Sequence, residues 1–263
     1  MQVIFTKIRQ GNLDEVKRIL EKHPEAVNSV SGLKPKKDHG QSALQVALKT
    51  GNTEIADYLI EHGADLNFME AEDDDPGARM PVLFDAIIAV IASLCYKRID
   101  ESDESLLLMR KMLERGADVN AIASYGADAM NCAIHEAYQI VSRPSAYPEV
   151  QNETWIKLEK VFDLLLEYGF DYKAWLDRPL FPNGSTNRTL FFDPDLVANE
   201  IWIKNWQGMR DFLHGYFGKT GALSDDTALK ALKQASQIAE ENGIADMNLD
   251  EINAEITEAR NRK

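Results

Sequence analysis

Apolar residues recur along most of this chain at helical spacing, grouped in short paired runs. Leu44 with Ala47, Leu83 with Ala86 and Met130 with Ala133 each place an apolar pair on one face of a helix. Second helical runs complete the units. Two of them, "GNLDEVKRILEKHPEAVN" (11–28) and "GNTEIADYLIEHGADLN" (51–67), align with a one-residue slip, so that Val16 corresponds to Ala56 and Ile19 to Leu59. Related runs end at the same phrase: "IEHGADLN" (60–67), "LERGADVN" (113–120) and, more faintly, "LEYGFDYK". Gly63, Gly116 and Gly169 in these phrases stand 53 residues apart. A glycine there suits a left-handed helix terminus, which a side chain disfavours. Each unit therefore reads as a turn, a helix, a tight break and a second helix. No unit can bury its own apolar face, so the units must stack, and Ala47, Ala86 and Ala133 let neighbouring helices approach closely.

These residues resemble the ankyrin repeat, whose pattern is Gly-x-Thr-Pro-Leu-His-x-Ala, then Gly-His, then Leu-Leu and Gly-Ala-Asp-Val-Asn. The resemblance covers about residues 1–175, in units near 1–28, 38–67, 80–120 and 126–172. Ser42-Ala43, Pro81-Val82 and Asp128-Ala129 stand where the family has Thr-Pro, and Gln45, Phe84 and Asn131 replace its histidine. The hydrogen bonds that brace the turn must therefore be made differently. The spacing also departs from the family's period of about 33 residues. The connections from Asn28 to Leu44 and from Asn67 to Leu83 are 16 residues long, against 10 from Asn120 to Met130, so the first two fingers are extended. In the third and fourth units the excess reads as polar surface insertions between the two helices, at 96–105 and 142–154. The resemblance implies an all-α ankyrin-repeat α-solenoid of about four repeats.

Beyond the repeats, 176–220 reads as a Pro/Gly/Asn-rich connection and an amphipathic capping helix at 196–218, with Ile201, Trp202, Trp206, Met209, Phe212 and Leu213 on its apolar side. Residues 221–263 read as a two-helix tail whose apolar seams, Leu229, Leu232 and Ala235 on one helix and Leu249, Ile252, Ile256 and Ala259 on the other, are too thin for an independent core. Its end, "NGIADMNLDEINAEITEARNRK", is similar to the C-terminal segments of small bacterial antitoxins.

Composition narrows the partners. A net charge of −14 opposes binding to a nucleic-acid backbone and favours basic protein partners. The most apolar stretch, 81–95, contains Asp85 and is too short to span a bilayer. The start has no secretory pattern, and Cys95 and Cys132 lie in apolar helical patterns that suit buried thiols, which together point to a cytoplasmic protein. "GYFGKTG" (215–221) ends like a phosphate-binding loop, but Leu213 occupies the place of the first glycine. An ordinary helix end capped by Gly218 is the expectation. The acidic run "EAEDDDPG" (70–77) lacks the alternating ligands of a calcium loop and reads as a solvated finger. The five histidines show no metal-ligand spacing, and no nucleophile elbow or dinucleotide-binding turn is present. Neither cofactor nor metal is expected. The 82–95 helix is apolar almost all round. It is either enclosed by the lengthened third and fourth units or exposes Phe84 and Ile88 as contacts for a partner.

In the family the resemblance points to, partners touch the finger tips and the inner helices. By position this implies His39, Gln41, Tyr125 and Ala127 on the fingers and Lys49, Thr50, His135 and Glu136 on the inner helices. The acidic finger adds Glu72, Asp73 and Asp74. The expected function is non-catalytic protein binding that neutralises or sequesters a partner, as immunity proteins and antitoxins do. An enzyme with a site in the insertions, or a scaffold whose tail pairs two copies, are the alternatives.

Overall fold

The computed structural model of the chain describes residues 2–32, 38–70, 79–179, 185–192 and 201–220, with the backbone alone at 2, 201–205 and 220. Four consecutive helix pairs are built as α1 (Gln2–Arg9) with α2 (Leu13–Lys22), α3 (Ala43–Lys49) with α4 (Thr53–Glu61), α5 (Val82–Cys95) with α6 (Ile99–Glu114) and α7 (Ala129–Val141) with α8 (Gln151–Glu167). A short α9 (Tyr172–Asp177), a π-helical turn at Arg188–Phe192 and α10 (Ile201–Thr220) follow. The inner helices α1, α3, α5 and α7 pack in sequence, and α2, α4 and α6 form the outer row. The result is the expected all-α solenoid of four repeats. Two compact units divide the chain within α10, at 1–212 and 213–263, and the repeats belong to the first. The two-helix tail expected at 221–263 lies outside the described residues.

The repeated phrase supplies the joint between repeats. Gly63, Gly116 and Gly169 sit at φ of 87°, 93° and 86°, the left-handed region expected at each helix end. The asparagine one repeat earlier then grips the turn. Asn28 Nδ2 donates to the Gly63 carbonyl (3.1 Å) while its Oδ1 accepts from the Asp65 amide (2.8 Å). Asn67 does the same to Gly116 (3.1 Å) and Asp118 (2.7 Å), and Asn120 to Gly169 (3.1 Å) and Asp171 (2.8 Å). Asp65 and Asp118 return the favour within their own phrase by accepting from the Asn67 and Asn120 amides, each at 2.9 Å. Three side-chain amides thus form a ladder that fixes the vertical step of the solenoid.

The third and fourth units are longer because their helices are longer. α3 and α4 have 7 and 9 residues, whereas α5 and α6 have 14 and 16, and α7 and α8 have 13 and 17. The surface insertion expected at 96–105 is corrected accordingly, since Tyr96–Arg98 alone make the reversal and α6 starts at Ile99. Polar residues occupy that first turn for specific reasons. Asp100 and Glu101 favour a helix N-terminus. Buried Ser102 donates to the Val90 carbonyl at 2.6 Å, and buried Ser105 takes little room against α5. Asp103 pairs with the buried Lys157 ammonium of α8. In the fourth unit 142–150 does form the surface connection, and 151–154 joins α8. The offset of about one long repeat recurs on the outer face, where Lys111 pairs with Asp57 and Arg115 with Glu61 (2.7 Å).

The missing motif residues are replaced by a different polar brace. Ser42 and Gln45 close a capping box, with Ser42 Oγ accepting from the Gln45 amide (3.2 Å) and Gln45 Oε1 from the Ser42 amide (3.0 Å). The Gln45 Nε2 then crosses to the next repeat and donates to the buried Asp85 carboxylate at 2.8 Å. Burial pushes the Asp85 pKa up to about 7, against the Gln45 hydrogen bond that lowers it, with Glu70 adding to the rise and Lys49 opposing it.

Two outcomes follow from these joints. Asn67→Ala removes two exposed hydrogen bonds and is expected to cost about 1–2 kcal/mol in urea unfolding. Asn67→Asp keeps the acceptor for the Asp118 amide and falls between, so an alanine variant as stable as wild type would contradict the ladder. The Asp85 carboxyl is held protonated in the folded chain to about pH 7 but ionises near pH 4 when unfolded. Its contribution to stability is therefore complete below about pH 4 and is lost as pH rises through 7. Asp85→Asn is expected to flatten this slope, so that the variant gains on wild type by roughly one to a few kcal/mol between pH 5 and pH 8. An unchanged slope in denaturant titrations at the two pH values would contradict it.

Candidate functional site

The lengthened inner helices carry side chains past the packed core, and one face of α7 uses them to line a cleft. Asp128 sets the start of α7. Its carboxylate accepts from the Asn131 amide at 2.9 Å and pairs with Arg178. That start places Cys132, His135 and Glu136 on one face, three and four residues apart. Ile88 of α5 and Met80 and Tyr125–Ala127 of the adjoining fingers complete one side of the cleft. The fingers are tied together here, since the Ser124 amide donates to the Arg79 carbonyl (3.0 Å) and the Arg79 amide to Ser124 Oγ (3.0 Å).

The segment after the fourth pair closes the other side. Pro179 bridges to Thr186, and Asn187 joins Leu190 and Phe191 of the π-helical turn in lining the cleft. Trp206 of α10 stacks flat on Tyr138 of α7, with ring centroids 3.7 Å apart at 3°, and lies 5.9 Å from Phe191. Buried Arg210 ties α10 to the turn by donating to the Leu190 carbonyl at 2.9 Å. The cleft has a volume of about 480 Å³, within the usual range for a ligand or side-chain pocket.

Its electrostatics are those of a half-dry acidic site. Desolvation raises the Glu136 pKa, and His135 is the neighbour that counters it. Burial holds the Cys132 thiol well above its ordinary pKa, with Glu136, Asp85 and Asp128 adding to the effect, so it is no thiolate nucleophile. The Tyr125 phenol is pushed up to about 12, chiefly by desolvation and further by Cys132 and Glu136, and stays a neutral hydrogen-bonding group. Both cysteines are free thiols; Cys132 is buried and Cys95 half-buried.

Of the residues singled out from sequence, Ile88, Tyr125, Ala127, His135 and Glu136 come together in this cleft. The positions from the first two fingers do not join them. Gln41 is buried and donates to Glu70 at 2.9 Å. Lys49, although exposed, donates to Gln41 Oε1 at 3.1 Å and pairs with buried Asp38 at 3.4 Å. Thr50 turns its hydroxyl to the Val46 carbonyl at 2.7 Å, and His39 is half-buried beside Asp38 in the finger. Phe84 is corrected outright. It is 0% exposed, enclosed in the core beneath the inner face, and offers no contact to a partner. Glu72, Asp73 and Asp74 lie outside the described residues; Glu70 turns inward to Gln41 and Gln45. Gly218 is also corrected, because α10 runs on to Thr220 and the glycine lies inside it rather than capping it.

In the sequence Asn131 reads only as a stand-in for the motif histidine, and Trp206 only as part of a cap. Asn187 sits in a connection without periodicity, where nothing in the sequence announces a role. Among the described residues no group of histidine, cysteine and carboxylate side chains is arranged to hold a metal ion, and no helix is long and apolar enough to cross a membrane.

Residues 2–71 match the family model for ankyrin repeats (3 copies). No curated protein matches the chain. The matched segment spans the first two helix pairs, where the helices are short; from α5 onward they outgrow the family's spacing. The left-handed glycine, the asparagine bridge and the finger nevertheless continue through Gly169, and the chain contains ankyrin repeats.

Proposed function

We propose that this chain binds another protein without catalysis, using the cleft of the third and fourth repeats, and that it sequesters that partner by covering part of its surface. Ankyrin repeats are in general protein-interaction modules, which supports the coarser half of this reading. The observation that carries the rest is the convergence of Ile88, Tyr125, Ala127, His135 and Glu136, from two inner helices and a finger, on one mostly apolar cleft. Tyr125 is 55% exposed and His135 is exposed, so both rings are available to a protein surface. Exposed aromatic groups around a semi-buried pocket are the usual anchors of an interface. With a net charge of −14, the partner is expected to present a basic surface, which charge complementarity would steer onto the cleft.

The test is affinity capture from the native cell with the full chain as bait, followed by reconstitution with the purified partner. Tyr125→Ala combined with His135→Ala should weaken the complex by at least about tenfold, while the outer-face variant Leu107→Ala should not. Raising salt from about 0.1 to 0.5 M should slow association. Sequestration predicts stoichiometric loss of the partner's own activity on complex formation. Retention of the partner by the inner-face variant, or its loss in the outer-face variant, would overturn the choice of face. A salt-independent association rate would overturn the electrostatic part.

A further inference from the structure

Trp175 is wholly buried below the cleft and fixes two side-chain amides. Its indole Nε1 donates to Asn131 Oδ1 at 2.7 Å, and its carbonyl accepts from Asn187 Nδ2 at 2.8 Å. These bonds settle which way each amide points. They also leave one atom of each residue over, and both residues line the cleft. Asn131 Nδ2, a donor, and Asn187 Oδ1, an acceptor, are shielded from solvent and have no hydrogen-bond partner among the described residues. Asn187 itself is 0% exposed. Orphaned buried groups of this kind cost stability and are uncommon unless something completes them.

The same cleft holds a carboxylate in a similar condition. Glu136 is half-buried and makes no hydrogen bond or ion pair with another described residue; His135 is the neighbour that acts on it. The arginine or lysine nearest in sequence, Arg143, lies over the Tyr147 ring and donates to the Gln139 carbonyl at 2.7 Å. Two acceptors therefore await donors, one of them anionic, beside the rings of Tyr125 and Trp206. One donor awaits an acceptor.

We infer that the cleft is a pocket for an arginine side chain of the partner protein, with Glu136 and Asn187 Oδ1 accepting from its guanidinium and Asn131 Nδ2 donating to the adjoining peptide carbonyl. This rests on the protein-binding reading above and specifies its anchor. A guanidinium presents five N–H donors in one plane, can serve two separate acceptors at once, and packs on aromatic faces. An ammonium group is a compact, strongly hydrated charge and gives up more on entering a half-dry cleft. A neutral side chain leaves Glu136 uncompensated.

The probes are acetylated, amidated pentapeptides with arginine, lysine, citrulline or norleucine between flanking alanines and glycines, titrated into the full chain by calorimetry and amide NMR. The arginine peptide should bind saturably and shift the Tyr125, His135 and Glu136 amides. Citrulline, which keeps the shape and loses the charge, should bind at least about tenfold more weakly, and lysine should fall between. Glu136→Gln should erase the difference between arginine and citrulline, and Tyr125→Ala should weaken both; thermal unfolding of each variant checks that the fold is kept. Equal binding of arginine and citrulline, tighter binding of lysine or norleucine, no saturable binding, or an unchanged preference in Glu136→Gln would overturn the pocket. If the partner complex is lost in the Tyr125/His135 variant but unaffected by Glu136→Gln, the arginine pocket falls and the protein-binding reading stands. If neither variant affects it, both fall.

Discussion

The solenoid depends on one recurring pair of hydrogen bonds, in which an asparagine amide satisfies both a carbonyl and an amide of the next repeat's turn. The last carbonyls of a helix and the amides of the following turn otherwise go unpaired or fall to water. Asn28, Asn67 and Asn120 supply both partners at once, and three times over. The glycine that ends each helix makes this possible, because a left-handed φ aims its carbonyl outward and brings the Asp amide two residues later to the same asparagine. The bonds are exposed and individually modest. Their importance is geometric, for they set the step between repeats whatever the length of the helices in between.

Freed from the job of setting the step, the helices of the third and fourth repeats can lengthen. The seven residues that each of α5 and α6 gains over α3 and α4 leave the turns in register. What they add is surface beyond the packed core. Ala47, Ala86 and Ala133 are all fully buried and keep the inner helices close. The extra turns of α7 extend past them and must be covered or used. The π-helical turn and Trp206 cover part of this surface, and the uncovered remainder is the cleft. The polar network of Arg9, Asp38, Lys49, Gln41, Glu70, Gln45 and Asp85 does the opposite for the first repeats. It consumes the polar groups that a partner would otherwise meet.

The fold was legible because its signals are local. A glycine before Ala-Asp, an alanine at the close contact and an apolar pair at helical spacing each reflect a backbone requirement that tolerates few substitutes. The 53-residue spacing was legible as a stretched frame, yet its cause was misread at 96–105. Polar, acidic sequence reads as loop when its only visible property is solubility; buried Ser102 and the Asp103–Lys157 pair show that the same residues serve a helix interior and its neighbour. The site was legible only by half. Ile88, Tyr125, Ala127, His135 and Glu136 follow from register, whereas Gln41, Lys49 and Thr50 share that register but spend their polar atoms inside the protein. Phe84 shows that an all-apolar helix does not reveal which of its residues face the core. Asn187 could not be found at all, because its role comes from the carbonyl of Trp175, twelve residues earlier in sequence and adjacent only in the fold.

Native-state hydrogen exchange at the Asp65, Asp118 and Asp171 amides tests the ladder most directly. All three lie in exposed turns, and the side chain of an asparagine one repeat away holds each of them. They are expected to exchange as slowly as amides inside the flanking helices, and Asn67→Ala to release Asp118 far more than the other two. Exchange of all three at the rate of an unstructured peptide in the wild-type chain would contradict the claim that these asparagines join the repeats.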